Sequence, residues 1–573
     1  MNGHVEPAAL PAHRASMDSE TETPRFDEQQ ALSTLDVACL IINKMIGGGI
    51  FMSPRIVAHL TGNKLVALSL WIFGGLYSIY IYLEYGLAWP YNGGEFIYIS
   101  KIFPRPPLLF ASAFAWVFIA SATPTSNSIT FARYINPTKE GQPDVWFTKF
   151  FACVIVVGIC AVHYRLVNIG IWANDCLTVY KVLFLLVLVF AGFVETCRQG
   201  VDGGLLGVGD YATTHGSPSP TNVALAILQV LYSYQGWENA NYVTSEIKGA
   251  GKHKKRRLKR GAFIAISVVM FLYISFNMFV FFILDFDSIT NPMHNVAADY
   301  AISVFRTSHT KMASHAIYVN IALAAAGNII GVTFSNARMN RDIAKHGIIP
   351  FYKFFAKSSH YGSTQWDNLG TPTGGLILQA LVTCITTVQD HPYLVHLWSC
   401  RAALGIGVFF IRKRMNQYET SSTDPADKAY GEHWEYQVMK TSHLRYAATI
   451  FFITVNLFLV IVPFIPSDNP DGTPRDTPSW VQPVIVTALY ALGASVSLYI
   501  IAFEDLKFRG SRYNIHDPGD LSGFIDYNER RWIVTYRGYP DLPSGWKSAF
   551  KPLPWETIRK RLFTNGKRRP RKS

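Results

Sequence analysis

The stretch Lys44-Met45-Ile46-Gly47-Gly48-Gly49-Ile50-Phe51 interrupts an apolar segment that runs from about residue 35 to residue 60. Three consecutive glycines disfavour a continuous helix, since each costs about 1 kcal/mol relative to alanine, but they let the backbone approach a ligand closely. Pro54 could begin a second half-helix, because the first turn does not need its N–H. We therefore predict a helix broken inside a membrane, whose freed N–H and C=O groups line a polar site. A glycine-rich packing face between helices is the alternative.

Composition indicates a polytopic membrane protein in contact with a lipid bilayer. The 573 residues are 49% hydrophobic and only 16% charged, against about 25% charged in soluble domains. The net charge of +13 would suggest nucleic acid in a soluble protein. Here the basic residues lie between apolar runs, so the positive-inside rule explains them better and no nucleic-acid partner is expected. The seven cysteines show neither a disulfide framework nor zinc spacing, and we expect no metal and no cofactor.

The apolar runs predict an all-α protein with about twelve transmembrane spans. Basic residues cluster after spans 6, 8 and 10 and acidic residues in the opposite loops, so both termini should be cytoplasmic. The predicted organisation is a disordered cytoplasmic tail (1–33), a first five-helix block (34–195), a second five-helix block (220–413), spans 11 and 12 (444–503) and a cytoplasmic tail (504–573). Within the second block we expect span 6 at 220–245, span 7 at 261–284 and span 8 at 314–337.

One region fits this count poorly. Residues 374–412 must supply spans 9 and 10 and a turn, whereas two full spans alone need about 40 residues. Ser399-Cys400-Arg401 also puts a cation where span 10 should be deep. Either both helices are short and tilted, or a piece is missing.

A second polar interruption lies in span 6, at Tyr232-Ser233-Tyr234-Gln235-Gly236-Trp237-Glu238-Asn239. Spans 1 and 6 each begin a block of five, and an odd number of spans gives the two blocks opposite orientations. The two breaks thus predict a 5+5 inverted repeat plus two further helices, which is a pattern of secondary transporters. An interfacial aromatic belt is the alternative, but Gln235 and Glu238 fall several residues inside the span.

Four stretches resemble one known family. Residues 45–51 (MIGGGIF) look like the span-1 signature of the amino acid–polyamine–organocation superfamily, and residues 234–239 (YQGWEN) look like its span-6 signature. Residues 82–95 are similar to the end of span 2 in fungal high-affinity methionine permeases, and residues 333–350 to the cytoplasmic end of their span 8. The resemblance extends over about residues 34–503.

This resemblance implies a LeuT-like transporter in the plasma membrane. It would import methionine or other neutral amino acids by alternating access, coupled to protons and independent of sodium. A large-neutral amino acid exchanger and a non-transporting amino acid sensor are the alternatives. Ubiquitin-ligase adaptors at the tails are implied as partners. The sequence shows no Gly-x-Ser-x-Gly, His-Glu-x-x-His or P-loop motif, so no enzymatic activity is expected.

The resemblance also implies a substrate site at the two breaks. The carboxylate of an amino acid should accept hydrogen bonds from N–H groups freed in span 1, and its ammonium should bind carbonyls freed in both spans. Tyr232 or Trp237 could close over the substrate as an outer gate. The expected site residues are Ile46, Gly47, Gly48, Gly49, Ile50, Tyr232, Ser233, Gln235 and Trp237.

Lys181 is a charge in the middle of span 5, which is expensive in a membrane and functional by default. By the resemblance, its ammonium takes the place of a sodium ion between spans 1 and 8. It would contact carbonyls near Gly47 and the hydroxyl of Thr333 or Ser335. Snorkelling to the headgroups is the alternative.

Two acidic residues are the expected proton carriers. Glu84 lies inside span 2 and Glu95 just after it. Carboxyl groups at membrane depth are rare and mark proton relays. Glu95 could instead bind backbone N–H groups at a nearby helix start.

Overall fold

The computed structural model describes residues 32–77, 80–89, 92–103, 109–135, 144–199, 213–215, 219–249, 251–291, 295–357, 371–388, 401–408, 442–461 and 481–502. Within these ranges the protein is helical, apart from connecting turns and one isolated β-bridge. Almost all of the predicted N-terminal tail (1–33) and the whole predicted C-terminal tail (504–573) lie outside the described residues.

The structure describes nineteen α-helices and one 3₁₀ helix within these ranges. In order they are α1 (Thr34–Met45), α2 (Gly49–Thr61), α3 (Lys64–Tyr77), α4 (Tyr80–Ala88), α5 (Gly94–Ile102), α6 (Leu109–Ser121), α7 (Thr125–Ile135), α8 (Val145–Arg165), α9 (Val167–Gln199), α10 (Pro220–Ser233), a 3₁₀ helix (Asn239–Glu246), α11 (Gly251–Ile283), α12 (Phe286–Thr290), α13 (Val296–Phe305), α14 (Thr310–Lys345), α15 (Tyr352–Phe355), α16 (Thr373–Val388), α17 (401–408), α18 (Ser442–Ile461) and α19 (Val481–Ala502).

The described part of the chain contains six helical spans that are long and apolar enough to cross a membrane. They coincide with predicted spans 2 (about 64–90), 3 (about 107–134), 4 (about 148–165) and 5 (about 170–195), and with predicted spans 7 and 8. A seventh span is the pair α1 and α2, which bend by 46° at their break. The protein therefore has the helices of a polytopic membrane protein, while the twelve-span count and the inverted repeat stay predictions.

Span 1 is broken where the glycines predict. Ser33 caps α1 by accepting a hydrogen bond from Asp36 N, and Asp36 Oδ2 accepts one from Ser33 N at 2.6 Å, which satisfies backbone donors at the helix start. The helix ends at Met45, and α2 begins at Gly49. Pro54 lies inside α2 rather than at its start, so the new half-helix begins at the glycines themselves.

Span 6 is also broken, and its second half differs from expectation. Ser219 caps α10 through a bond from Asn222 N, and Pro220 occupies the first turn. The α-helix ends at Ser233, followed by turns and then by the 3₁₀ helix up to Glu246. The α-helix therefore ends inside the interruption predicted at residues 232–239, and the rest of the range predicted for span 6 (220–245) forms turns and a 3₁₀ helix rather than a second α-helix.

Spans 7 and 8 run further than predicted. Helix α11 starts at Gly251 rather than at 261, and α14 continues to Lys345 rather than stopping at 337. Most of the basic residues that the prediction assigned to the loops after spans 6 and 8 are thus helical. Two of them at the end of α14 have acidic partners: Arg338 forms a buried ion pair with Glu246, and Lys345 Nζ lies 3.1 Å from Asp342.

The poorly fitting region contains helix α16 and a helical stretch at residues 401–408. Helix α16 has 16 residues, fewer than the roughly 20 that cross a membrane perpendicularly. Residues 401–408 are the described part of α17, and Arg401 among them is fully buried. The connection between them, with Ser399 and Cys400, lies outside the described residues.

The chain segment before α1 is joined to the end of span 6. Leu32 N donates to Glu246 O and Lys248 N donates to Leu32 O, each at 2.9 Å. Behind this bridge, α1 packs against α9, α11, α14 and the 3₁₀ helix. The broken span 1 therefore lies among spans 5, 6, 7 and 8, where its irregular backbone is enclosed by protein.

Candidate functional site

The two helix breaks are packed against each other. A Cβ atom placed on Gly49 would lie 3.3 Å from Ser233 Oγ, and one placed on Gly236 would lie 2.7 Å from Met45 Cγ. Glycine permits this approach, and at Gly236 it also permits the positive φ of 156°. Tyr273 Oη lies 2.7 Å from Met45 O and 3.2 Å from Ser233 O, so one hydroxyl serves carbonyls from both breaks.

The N–H of Gly48 points at a side chain from span 3. It donates to Asn127 Oδ1 at 3.1 Å, and Asn127 Nδ2 donates to Asn328 Oδ1 at 3.0 Å. Asn328 Nδ2 in turn donates to the carbonyl of Lys44. Side chains from α7 and α14 therefore satisfy backbone groups at both ends of the span-1 break.

Lys181 is buried, with 2% of its surface exposed, and its ammonium points at span 1. Its Nζ donates to Asn43 Oδ1 at 2.5 Å, to Ile46 O at 2.7 Å and to Asn43 O at 3.0 Å. Asn43 Nδ2 donates to Gly327 O and to Asn174 Oδ1. This set joins α1, α9 and α14, and the inward bonds exclude snorkelling.

The expected partners of Lys181 in span 8 need a correction. Among the described residues, neither Thr333 nor Ser335 bonds to it. Ser335 Oγ donates instead to Asn239 Oδ1, and Thr333 Oγ1 is buried without a hydrogen-bond partner in the described part of the chain. The lysine meets α14 closer to its start, at Gly327, where a Cβ atom would lie 2.8 Å from Nζ. The missing side chain makes room for the ammonium there.

The remaining site residues lie in two places. Tyr232 Oη donates to Ser126 Oγ in α7, and its ring approaches Gly49. Ser233 Oγ is 2.7 Å from Ser53 Oγ in α2. Trp237 packs its ring against those of Tyr77 and Tyr82 in span 2, away from α7, so the two aromatic gate candidates face different neighbours.

Three further expected site residues have defined surroundings. Ile46 and Ile50 are fully buried. The Ile46 carbonyl, expected to bind a ligand ammonium, is engaged by Lys181. Gln235 N donates to Tyr232 O at 3.1 Å and stabilises the turn of the break.

A cluster of buried charges lies beside the break in span 6. Lys44 Nζ is 3.0 Å from Glu238 Oε1, with side chains only 10% and 1% exposed. Glu95 Oε1 accepts a bond from Tyr242 Oη at 3.1 Å, and Lys44 Nζ lies 5.3 Å from the centre of the Tyr242 ring. Arg401 interacts electrostatically with both acids. We call Lys44, Glu95, Glu238 and Arg401 the buried charge cluster.

The two proton-carrier candidates differ in position. Glu84 is buried in α4, and Glu95 is buried in the first turn of α5, outside the apolar spans. Burial raises the pKa of Glu95 to about 7, and the negative charge of Glu238 adds to this rise. A carboxyl group with a pKa near 7 would change its charge near neutral pH, which suits the proton-carrier role expected of Glu95.

Comparison with known proteins gives consistent matches. The amino acid permease family model matches residues 32–490. The chain is 24% identical to the high-affinity methionine permease of Saccharomyces cerevisiae over 514 residues, which cover 87% of this chain and 83% of that protein. It is 25% identical to the low-affinity methionine permease of the same yeast over 350 residues (59% and 62%). It is 26% identical to the human large neutral amino acids transporter small subunit 2 over 330 residues (55% and 57%).

Proposed function

Because the chain belongs to the amino acid permease family, we propose that it is a secondary active transporter that imports methionine or other neutral amino acids across the plasma membrane by alternating access. The observation that carries this proposal is the contact between two broken spans, at Gly49–Ser233 and Met45–Gly236. Irregular backbone at membrane depth is tolerated where it lines a binding cavity, and substrates of such transporters bind there.

Recognition of the amino acid backbone follows from the groups at the breaks. The N–H of Gly48 already holds an amide oxygen, so it is directed at an acceptor, and a substrate carboxylate is a stronger one. The ammonium would bind carbonyls of Tyr232, Ser233 or Gln235. A preference for neutral side chains agrees with the buried, uncharged Ile46 and Ile50 beside the glycines. The similarity to two yeast methionine permeases supports methionine as the first substrate to try.

Sodium independence is supported by Lys181. Three oxygen atoms, from Asn43 and Ile46, converge on its ammonium within 3.0 Å. Converging oxygens of this kind would suit a metal cation, and the tethered ammonium occupies their centre. Uptake should therefore proceed equally well when choline replaces sodium.

The test of the proposed function is uptake of the standard amino acids into vesicles that contain the purified protein. The panel is run at two pH values, and in sodium and choline buffers. We expect uptake of neutral amino acids in both buffers, with accumulation against a gradient when the outside is acidic. Failure to transport any amino acid, with binding retained, would favour the sensor instead.

Exchange is the second candidate, favoured by the similarity to a human large neutral amino acid transporter. Vesicles preloaded with unlabelled methionine separate the two mechanisms. An importer takes up label into empty vesicles under a proton gradient, whereas an obligatory exchanger requires the preload.

The proposal extends to the orientation of the protein in the membrane and to its ubiquitin-dependent removal. Both termini are proposed to be cytoplasmic, since the basic residues at the ends of α11 and α14 lie on the side of the N-terminal bridge. Ubiquitin-ligase adaptors would then reach the tails. The N-terminal tail has no lysine before Lys44, so acceptor lysines are expected in the C-terminal tail or the internal loops.

Replacing Gly48 with valine should abolish uptake while the protein still reaches the membrane. Gly48 has helical dihedral angles (φ −66°, ψ −20°), which valine can also adopt, so the expected loss of uptake does not come from backbone strain. Instead, a Cβ atom on residue 48 would lie 2.6 Å from Thr130 Cγ2, so the valine side chain would clash with α7 next to the proposed carboxylate site. Gly158→Val is the matched control, because nothing lies within 4 Å of that Cβ position. Uptake and surface expression are measured together; normal uptake by Gly48→Val would reject the site.

Replacing Glu95 with glutamine should remove the pH dependence of uptake. With a pKa of about 7, Glu95 is protonated below that pH and ionised above it, so wild-type uptake should fall as the pH rises through this value. Glutamine mimics the protonated form, and uptake should become flat with pH and lose accumulation against a gradient. Glu95→Asp should retain the slope. An unchanged slope in the glutamine variant would assign Glu95 a structural role.

A further inference from the structure

The hydrogen bond that the span-1 break lacks is replaced by two side chains. In a continuous α-helix the N–H of Gly48 would donate to the carbonyl of Lys44, four residues earlier. Here Gly48 N donates to Asn127 Oδ1, Asn127 Nδ2 donates to Asn328 Oδ1, and Asn328 Nδ2 donates to Lys44 O. A relay of two asparagines, from spans 3 and 8, thus joins the two backbone groups that the break separates.

The direction of the relay is determined by its ends. The Lys44 carbonyl can only accept a hydrogen bond, so the amide nitrogen of Asn328 must face it. The oxygen of Asn328 then faces Asn127, whose nitrogen must donate, and this leaves the oxygen of Asn127 for the N–H of Gly48. Each amide has one self-consistent orientation, and an acceptor oxygen always ends up on Gly48.

The same oxygen fills the space that a substrate carboxylate needs. A Cβ atom placed on Gly47 would lie only 2.7 Å from Asn127 Oδ1. An anion cannot approach the Gly48 N–H while Asn127 remains there. Replacement of Asn127 Oδ1 by a carboxylate oxygen on the Gly48 N–H is favourable. A carboxylate accepts a charge-assisted hydrogen bond that is about twice as strong as one to a neutral amide.

We propose that Asn127 and Asn328 form a substrate-displaced latch: Asn127 Oδ1 stands in for the substrate carboxylate on Gly48, and arrival of the carboxylate releases Asn127, and with it α7, from the break. This inference rests on the proposed function, because it needs a carboxylate-bearing substrate at the glycines. Its consequence is that binding frees span 3 to move relative to span 1, as alternating access requires, while span 8 stays joined to α1 by the bond from Asn43 Nδ2 to Gly327 O.

Opposite effects of two substitutions test the latch. Asn127→Ala removes the competing oxygen and should lower the Kd for methionine about tenfold, which corresponds to about 1.4 kcal/mol. Asn127→Asp places a permanent anion on the Gly48 N–H and should raise the Kd. Asn328→Ala loosens Asn127 and should lower the Kd by less than Asn127→Ala does. Binding is measured by calorimetry on the purified full-length protein, alongside thermal unfolding.

Two controls separate the latch from other roles. The amine that lacks only the carboxylate of methionine should bind wild type and Asn127→Ala with the same Kd. Asn320→Ala, in the exposed part of α14, should leave the Kd for methionine unchanged. Weaker binding in both Asn127 variants would show an ordinary substrate contact or a structural role and overturn the latch. Absence of amino acid binding by the wild type and every variant would reject the proposed function as well.

Discussion

Uptake should fall by about a hundredfold when Lys181 is replaced by alanine, a loss that corresponds to about 2.8 kcal/mol. The substitution leaves Asn43 Oδ1 and the carbonyls of Asn43 and Ile46 without their cation. A buried acceptor without a partner costs about 1–3 kcal/mol. The ammonium also holds α9 to α1 next to the break, so its loss should loosen the half of span 1 that precedes the glycines.

The measurement is methionine uptake in choline and sodium buffers, for the wild type and the variant. Lys181→Arg should also be poor, since a planar guanidinium does not replace a compact ammonium among converging oxygens. Lys149→Ala is the matched control: it removes a lysine-to-carbonyl bond of 2.9 Å as well, but an exposed one. Full activity of Lys181→Ala, or strict sodium dependence of the wild type, would rule out a tethered cation.

Replacing Glu238 with glutamine should destabilise the protein by about 3–5 kcal/mol, because removing one partner leaves a buried charge uncompensated. Glutamine keeps the shape and can still accept the bond from Gly236 N, so the change isolates the charge. The uncompensated cation is Lys44, which precedes the glycines and is nearly enclosed. Thermal unfolding in detergent and uptake in vesicles should both show the loss.

The double variant Lys44→Met/Glu238→Gln supplies the comparison. If the damage comes from the unpaired charge, removing both charges should recover much of the stability lost by either single variant. Equal damage in the single and double variants would instead point to packing around the break. The cycle therefore measures the coupling between the two breaks through this ion pair.

The helix breaks could be predicted from sequence because their signals are local. Three glycines and a polar aromatic run each interrupt an apolar stretch, and both interruptions mark real ends of α-helix, at Met45 and Ser233. The start of span 7 and the end of span 8 could not be predicted in this way. Arg338 looks like the start of a loop until its partner Glu246, 92 positions away, is brought beside it.

The position of the candidate site was predictable from the sequence, but the side chains that hydrogen-bond to its backbone groups and to Lys181 were not. The position of Lys181 and the glycines indicated a cation near span 1, and the ammonium does bond to Ile46. Nothing local distinguishes the four asparagines that complete the arrangement, although a polar residue in an apolar span is often a contact between helices. Their pairings cross 79 to 284 positions of sequence, and no spacing rule covers that range. They are Asn43, Asn127, Asn174 and Asn328.

The backbone bridge at Leu32 couples the start of span 1 to the end of span 6. Two hydrogen bonds join Leu32 to Glu246 and Lys248, at the end of the broken span. When the second half of span 6 moves, it must either carry residue 32 along or break both bonds. Residues 1–31 directly precede Leu32 in the sequence, so a movement of span 6 would be transmitted to the point where this tail joins the helices.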